Sequence, residues 1–311
     1  MSDVGDNNFI TYIYRGADGE IIPDYVTRII VHRSIRVILR RAFWENENIV
    51  EVICHENVKK IEEYAFYQCF NLRRVIMPGV KEVEIGAFSF CERLSDVECG
   101  KLEIIKAHAF NFCYSLSSIN LPSARIVEEC AFSWCSGFSN VKLGSKLERI
   151  DARAFLNCYS LEQITIPLKD GIINEDDAFI GCEKLMYVDL VEGGLLKTIP
   201  ALQLEDWRND MCRELVSIIT ILPDARSGHY MRVHDDDGDY DDYDNGEKAR
   251  AIRIWIRSVL RKIILYQAEH RRVLDEDVTP TLKLVLPQEI VIHNALPFLD
   301  IPPHKFEVEE D

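Results

Sequence analysis

The chain has 311 residues, 47% of them hydrophobic, so it is long enough to bury a sizeable core. Its formal net charge of −16 argues against a general nucleic-acid binder, because phosphate contacts need a basic surface. The first residues are acidic and mixed, and no apolar run reaches the roughly 18 residues of a membrane span, so we expect a cytosolic or nuclear protein without a signal peptide.

Residues 1–24 are predicted to form an N-terminal cap. Residues 9–14 have strand character, a turn is favoured at Asp18 and Gly19, and a second apolar segment follows at residues 20–22. Two short strands separated by such a turn are typical of a β-hairpin. We therefore expect a hairpin that covers the first unit of the domain that follows.

An internal repeat occupies the next part of the chain. The dipeptide Ala-Phe recurs in steps of 22 to 24 residues, at Ala42-Phe43, Ala65-Phe66, Ala87-Phe88, Ala109-Phe110, Ala131-Phe132, Ala154-Phe155 and Ala178-Phe179. Three residues after Phe, six copies carry cysteine, at Cys69, Cys91, Cys113, Cys135, Cys158 and Cys182. Several columns kept in phase over seven copies indicate a repeat architecture.

Each copy also contains a short β-strand pattern. Two apolar residues spaced by two follow the cysteine position in every copy, for example Val75 and Met77, and a degenerate eighth copy lies upstream at Val26, Ile29 and Val31. The remainder of each unit leaves room only for a turn and a tight return arc. One such unit cannot bury its apolar side alone, so residues 25–200 are predicted to stack as a solenoid with a parallel sheet.

The repeat unit resembles the BspA-like leucine-rich repeats. The shared pattern is L-x-x-V-x-Φ-P followed by (I/V)-x-x-x-A-F-x-x-C, over roughly residues 25–200. This resemblance implies an α/β-type, right-handed leucine-rich-repeat solenoid with a concave parallel sheet. It also implies a non-catalytic scaffold that presents the sheet to a protein or peptide, although a fold does not identify the partner.

The six cysteines of one column are interpreted as small buried side chains whose S–H groups donate to backbone carbonyls in the turns. Side chains of one column point the same way, which disfavours disulfides between rungs about 4.8 Å apart. Steps of 22 to 24 residues also differ from the C-x₂₋₄-C spacing of zinc sites. No metal site is predicted, since none of the eight histidines lies in a ligand motif. No cofactor-binding or catalytic motif is predicted either.

The region after the repeats is predicted to begin with a helix that caps the last rung. Residues 201–233 contain apolar residues at helical spacing, namely Leu204, Trp207, Met211, Leu215 and Ile218, and then a connector. Residues 234–247 are strongly acidic, but neither Gly238 nor Gly246 places the acidic residues in the register of a calcium-binding loop. They are therefore interpreted as a flexible linker.

Residues 248–311 are predicted to form a helical C-terminal region. Its first part has an apolar face and a basic stripe of Arg253, Arg257 and Arg261, spaced by four. We favour docking of this helix on the solenoid or pairing with the acidic linker, and attachment to a membrane surface or nucleic acid is the alternative. Residues 286–300 resemble the opening of an F-box, which would imply a ubiquitin-ligase substrate adaptor acting through the tail 286–311.

The outward strand positions are the candidate partner-binding site. In the N-terminal strands these are Arg28, Ile30, Glu51, Ile53, Arg74, Ile76, Asp96 and Glu98. The three isoleucines form an apolar row flanked by charge, which suits a protein or peptide partner. A second column, Phe90, Phe112 and Trp134, is interpreted as a shield for the core. We thus expect a monomeric binding scaffold, with an F-box-like adaptor and a surface adhesin as the other candidates.

Overall fold

The computed structural model describes residues 9–17, 19–191, 209–213, 246–273 and 276. Its long strands lie side by side and parallel, one from each turn of a solenoid. One sheet contains β1 (Thr11–Tyr14), β2 (Arg28–Val31), β4 (Glu51–Ile53), β6 (Arg74–Ile76) and β8 (Asp96–Glu98). The next contains β10 (Ser118–Leu121), β12 (Asn140–Leu143), β14 (Gln163–Ile166) and β15 (Tyr187–Leu190). The predicted repeat solenoid is confirmed.

A second row of very short strands was not predicted. It forms a six-stranded parallel sheet of β3 (Val37–Ile38), β5 (Lys60–Ile61), β7 (Glu82–Val83), β9 (Ile104–Ile105), β11 (Ile126–Val127) and β13 (Arg149–Ile150). Only the second residue of each strand is buried, as Val83 and Ile105 illustrate. A strand with one inward residue has no alternating pattern, so the period-two signal that revealed the longer strands is missing here.

The return arc between the two sheets is closed by residues in the left-handed conformation. In the fourth copy these are His108 and Phe112, with φ of 58° and 59°. Main-chain hydrogen bonds join neighbouring arcs between these two positions. For example, the Phe110 N–H donates to the Ala131 carbonyl of the next copy at 2.8 Å. Two left-handed residues within five positions prevent helical hydrogen bonding, which explains why the arcs consist of turns.

The phenylalanines of the seven Ala-Phe pairs form one continuous stack inside the solenoid. Ring centroids of successive copies lie 4.8 to 5.5 Å apart, and successive ring planes differ by 1° to 9°. These spacings follow the separation of about 4.8 Å between neighbouring strands. None of the seven rings is more than 2% exposed. The predicted interior column is confirmed.

The cysteine column makes the hydrogen bonds that the sequence predicts. Each Sγ donates to the carbonyl of the phenylalanine in the preceding copy, as in Cys91 to Phe66 and Cys135 to Phe110, both at 3.1 Å. The same bond recurs at Cys69, Cys113, Cys158 and Cys182. All ten cysteines are free, and Cys212 is the exposed one. The column therefore links adjacent arcs without a covalent bond.

We expect thiol reagents to modify Cys212 and to spare the nine buried cysteines of the folded protein. Burial raises the pKa of Cys69 and Cys135 to about 12, so near pH 8 these groups hold almost no thiolate, the reactive form. Titration with a chromogenic disulfide reagent should release one equivalent from the native chain and ten after unfolding in denaturant. Release of three or more equivalents from the native chain would contradict the buried column.

The N-terminal segment forms an additional rung of the solenoid, so the predicted hairpin is wrong. Strand β1 pairs in parallel with β2, with Thr11 opposite Arg28 and Tyr14 opposite Val31, and residues 20–22 form no strand. The Tyr14 ring is buried 4.9 Å from the ring of Phe43 and so extends the aromatic stack. The Glu20 carboxylate accepts backbone N–H bonds nearby and stabilises the connecting loop.

The helix α1 (Glu247–Val273) docks against the last turns of the solenoid. Its apolar face is buried, at Ile252, Trp255, Ile256, Val259, Leu260 and Ile263. Gly246 allows the close approach, because a Cβ there would lie 2.4 Å from the Asp176 carbonyl oxygen. The Lys248 ammonium is 4% exposed and donates to the carbonyls of Cys182, Glu183 and Leu185.

Two arginines of the basic stripe bind the solenoid. Arg253 pairs with Asp176, and Arg257 Nε lies 3.1 Å from Asp170 Oδ1. Burial acts to raise the pKa of Asp176, but hydrogen bonds and charge from Arg250 and Arg253 outweigh it, so this pKa lies below its ordinary value. The interpretation that the helix docks on the solenoid is confirmed for these contacts, whereas Arg261 is exposed.

Several predictions concern residues outside the described ranges. These are the acidic linker over most of 234–247, the F-box-like tail 286–311 and most of the capping helix in 201–233. The described residues 209–213 are helical, with Met211 buried and Asp210 bound to Lys262 and Tyr266 of α1. Within the described ranges, no helix combines the length and apolar character that a membrane crossing requires.

Candidate binding face

The eight predicted site residues lie together on the outer face of the N-terminal sheet. Its strand register aligns them in two straight rows across neighbouring rungs. The apolar row contains Ile30, Ile53 and Ile76, and the charged row contains Arg28, Glu51, Arg74 and Asp96, with Glu98 at the end of the apolar row. We call this surface the strand face.

The structure adds a residue that the sequence analysis assigned to a hairpin. Because β1 continues the sheet, Ile13 lies opposite Ile30 and extends the apolar row to four strands. Ile13 is 46% exposed and Ile30 is 37% exposed, while Ile53 and Ile76 are half-buried. Four aligned aliphatic side chains on consecutive strands form an apolar stripe of the kind that partners cover.

The charged row is a connected network of ion pairs. Arg28 Nε donates to Glu51 Oε2 at 2.5 Å, and the other Glu51 oxygen lies 3.8 Å from Arg74 Nη1. The same guanidinium binds Asp96 at 2.9 Å and Glu98 at 2.5 Å. A hydrogen bond to Glu98 is the main reason that the pKa of Arg74 is raised, opposed by burial and helped by the other carboxylates. The network holds long side chains in fixed positions beside the apolar stripe.

Three carboxylates surround two guanidinium groups in this network, so the strand face has an excess of negative charge. The excess is greatest at β8, where Asp96 and Glu98 share the single guanidinium of Arg74 and both are exposed. Arg28 also stacks over the ring of Phe9, with the guanidinium carbon 3.8 Å from the ring centroid. The charge beside the stripe therefore changes from Arg28 on β2 to the carboxylates of Asp96 and Glu98 on β8.

The C-terminal sheet presents a polar surface instead. No ladder joins β8 to β10, so the outer face divides between these strands. Beyond this division the Asn140 amide donates to Gln163 Oε1 at 2.9 Å, and the Gln163 amide donates to Asp189. A cavity of about 740 Å³ opens here, bordered by these residues and by Trp255 of α1. These side chains bind one another, and they offer no apolar row.

The second candidate column lies on the arc side of the solenoid. Phe90, Phe112 and Trp134 are half-buried there, and successive rings lie 4.5 and 5.8 Å apart. Rings from other columns continue this contact in both directions, through Tyr67 and Tyr159. The repeat position that holds Phe90, Phe112 and Trp134 therefore reveals only these three rings in the sequence.

In the portion of the chain that the structure describes, no three His, Cys, Asp or Glu side chains are grouped so that they could hold a metal ion. Burial raises the pKa of Cys69 and Cys99, and both thiols donate to backbone carbonyls, which suits a structural role in the core. The predicted site residues of the strand face, by contrast, are aligned in rows by the register of the sheet.

The chain is similar to a known protein family and to several solved structures. The family description "BspA type Leucine rich repeat region" matches in six copies over residues 24–126 and 103–203. A leucine-rich repeat protein from Bacteroides ovatus is 24% identical, with a TM-score of 0.47, over 54% of this chain and 43% of that chain. The present chain thus spans less than half of that protein. No curated protein matches the sequence.

Two further solved structures are similar. A T. pallidum leucine-rich repeat protein is 25% identical, with a TM-score of 0.41, over 53% of this chain and 83% of that chain. A leucine-rich cell surface protein from Faecalibacterium prausnitzii is 18% identical, with a TM-score of 0.22, over 54% of this chain and 79% of that chain. The six-copy match covers more than half of the sequence and coincides with the stacked rungs, and the chain belongs to the BspA-type leucine-rich repeat family.

Proposed function

We propose that this protein is a non-catalytic binding scaffold whose strand face holds a protein or peptide partner. The supporting observation is the row of Ile13, Ile30, Ile53 and Ile76, which is aligned by the sheet register and partly open to solvent. A partner that covers this row removes apolar surface from water, which is the main favourable term in protein association.

The ion pairs beside the row favour binding by reducing its entropic cost. Arg28, Glu51 and Arg74 are already held by one another, so a partner does not need to order these long side chains. Glu51 is 7% exposed, and its hydrogen bond from Arg28 and its ion pair with Arg74 stabilise a carboxylate that would otherwise be costly to bury. Rigid sheet backbone and fixed side chains together form a pre-organised surface.

The remaining predictions about function belong to the same proposal. A chain whose apolar and cysteine residues serve the stacked core has little sequence left for a catalytic site, and we propose that it acts without one. Ten free cysteines suit a reducing compartment such as the cytosol or nucleus, where thiols stay unpaired. We further propose a monomer. The F-box-like tail lies outside the described residues, so a ubiquitin-ligase adaptor has no structural observation in its favour.

Removing the aliphatic row should weaken partner binding by at least ~10-fold, which corresponds to about 1.4 kcal/mol. The variant combines Ile30→Ala, Ile53→Ala and Ile76→Ala, which keeps the strands and the ion pairs but shrinks the apolar stripe. Affinity capture from cell extract with quantitative mass spectrometry, followed by binding isotherms for the captured protein, measures the effect.

The matched control is Asn120→Ala with Lys142→Ala on the C-terminal sheet, at exposed outward positions of the same kind. It should retain the partner at wild-type affinity. A partner that binds the wild type and the isoleucine variant equally well would contradict the assignment of the strand face. Deletion of residues 286–311 in the same experiment separates the adaptor alternative, because only that alternative requires the tail for capture.

A further inference from the structure

A ridge of aromatic side chains runs along the arc side of the solenoid, away from the strand face. It contains one ring from each of six consecutive copies: Trp44, Tyr67, Phe90, Phe112, Trp134 and Tyr159. Each ring contacts the next, with centroid distances of 4.5, 5.6, 4.5, 5.8 and 6.0 Å. Tyr159 is 36% exposed and the other five are half-buried. We call this surface the aromatic ridge.

Three rings of the aromatic ridge stand on unfavourable backbone. Phe90, Phe112 and Trp134 have φ of 62°, 59° and 61°, in the left-handed region that bulky side chains avoid. The same position in other copies is held by Gln68, Asn157 and Gly181, and asparagine and glycine adopt this conformation far more readily. The backbone shape therefore does not explain why aromatic residues occupy the three central copies.

Protection of the core does not explain the aromatic residues either. The core ring Phe155 is 0% exposed although Asn157 stands beside it, and Phe179 is 1% exposed beside Gly181. Phe110, in a copy with an aromatic neighbour, is also 0% exposed. The interior is thus equally closed with or without a ring at this position, which removes the reason for interpreting the column as a shield.

The sequence also provides space for the aromatic surface. Gly86 has φ of 59°, in a column that elsewhere holds Arg41, His108 and Arg153 in the same conformation, so the backbone does not require glycine there. A Cβ at position 86 would lie 2.6 Å from the ring of Tyr64, which packs edge-on against Tyr67 of the ridge. The missing side chain lets this ring support the ridge.

The spacing of the rungs that carry the aromatic ridge is close to the repeat of a ligand with polyproline II geometry. A polyproline II helix repeats every three residues, or about 9.3 Å. Two rungs of a parallel sheet span about 9.6 Å, so one side of such a helix meets every second rung in register. Proline-rich segments dock on surfaces lined with aromatic rings, and their backbone carbonyls are free to accept hydrogen bonds. The Trp44 indole N–H and the Tyr67 hydroxyl are donors of the required kind.

Charge around the aromatic ridge favours basic residues in the ligand. At the N-terminal end, Arg41 lies over the Trp44 ring, 4.6 Å from its centroid, and offsets the exposed Glu45. At the centre, the charge of Glu92 acts on Tyr114, whose ring packs against Phe112. The whole chain carries a net charge of −16, which disfavours nucleic acid as the stacking partner. We propose that the aromatic ridge binds a proline-rich segment in the polyproline II conformation, with basic residues beside the prolines.

The proposal can be tested with the full-length chain and a defined probe. The probe is a fluorescein-labelled peptide of ten prolines with two lysines at each end, and binding is measured by fluorescence anisotropy. A glycine-serine peptide of equal length with the same lysines controls for attraction by charge alone. The ridge variant carries Phe90→Gln, Phe112→Gln and Trp134→Asn, which copies the residues that other repeats use in this column.

We expect the proline peptide to bind the wild type and the isoleucine variant of the strand face alike, and the ridge variant at least ~10-fold more weakly. The ridge variant should keep the circular dichroism spectrum of the wild type, since copies with Gln68 or Asn157 in this column hold Phe66 and Phe155 at 0% exposure. The proposal is overturned if the ridge variant binds the probe as the wild type does, or if the glycine-serine peptide binds equally well.

A third probe tests the other linear ligand that aromatic rings commonly bind. If a linear glucan hexasaccharide binds the wild type and the proline peptide does not, the ligand class proposed here is wrong. The single variant Tyr67→Ser provides an independent measurement at a position with ordinary backbone, and it should also weaken binding of the proline peptide. Unchanged binding by this variant counts against the proposal. Results on the aromatic ridge leave the strand-face proposal untouched, because that proposal concerns another surface.

Discussion

Replacement of Phe110 by alanine is expected to lower the free energy of unfolding by about 3–5 kcal/mol, the usual cost of removing a buried phenylalanine. The ring is 0% exposed and stacks against Phe88 at 5.1 Å and Phe132 at 5.3 Å. Its removal opens a cavity in the centre of the stack and takes contacts from two neighbouring copies. A repeat is stabilised mainly by its neighbours, so this interruption acts on both halves of the solenoid.

Urea denaturation followed by circular dichroism measures the loss. The matched control is Phe112→Asn, two residues away on the same arc, which removes a half-buried ring and places a residue tolerant of the left-handed conformation there. This control should change the free energy of unfolding by less than about 1 kcal/mol. Equal losses for the two variants would show that the interior stack is not what holds adjacent copies together.

The interior of the solenoid could be predicted because it repeats. Phe66, Phe88 and Phe110 recur in phase with Cys69, Cys91 and Cys113, and stacking places each column in a single file. The register of the strand face followed for the same reason, since equal spacing in sequence becomes alignment across parallel strands. Periodicity therefore specified contacts between residues more than twenty positions apart.

Features outside the period could not be predicted in the same way. Local turn residues at 18 and 19 favoured a hairpin, whereas burial of Tyr14 against Phe43 decides in favour of a parallel rung. Ile13 was missed as a site residue for that reason. The aromatic ridge combines rings from several columns, with Trp44 and Tyr67 one residue nearer the core ring than Phe90 is, so its continuity becomes visible only in three dimensions.

The position of α1 illustrates a different limit. Its apolar face and basic stripe follow from helical spacing, but nothing in the sequence pairs Arg257 with Asp170, nearly ninety residues earlier. The contact depends on where the last turn of the solenoid ends. Asp170 and Asp176 supply the charges that receive the helix, and both lie in a copy whose arc departs from the repeat by a 3₁₀ turn at Asp176–Phe179. Irregular sequence at the end of the array thus provides the docking site.

Replacement of Lys248 by methionine is expected to lower the free energy of unfolding by about 3 kcal/mol and to release α1 from the solenoid. The ammonium group donates to three carbonyls of one turn, at Cys182, Glu183 and Leu185. Methionine keeps much of the length of the side chain but offers no donor, so the carbonyls lose a charged partner in a site closed to water. Relief of the buried charge offsets part of this loss, and three charge-assisted bonds exceed that relief.

Lys262→Met is the matched control for this prediction, because it makes the same change on the same helix. Lys262 is half-exposed and binds Asp210 at 3.1 Å, and a pair of this kind contributes about 1 kcal/mol at most. Hydrogen exchange of α1 and of the Cys182 turn should accelerate in Lys248→Met while the amides around Phe88 and Phe110 stay protected. If both methionine variants exchange alike, the helix is held by its apolar face alone, through Trp255 and Ile256, and the buried lysine only fills space. A faster exchange confined to Lys248→Met would identify the three carbonyls as the point at which the helix closes the end of the solenoid.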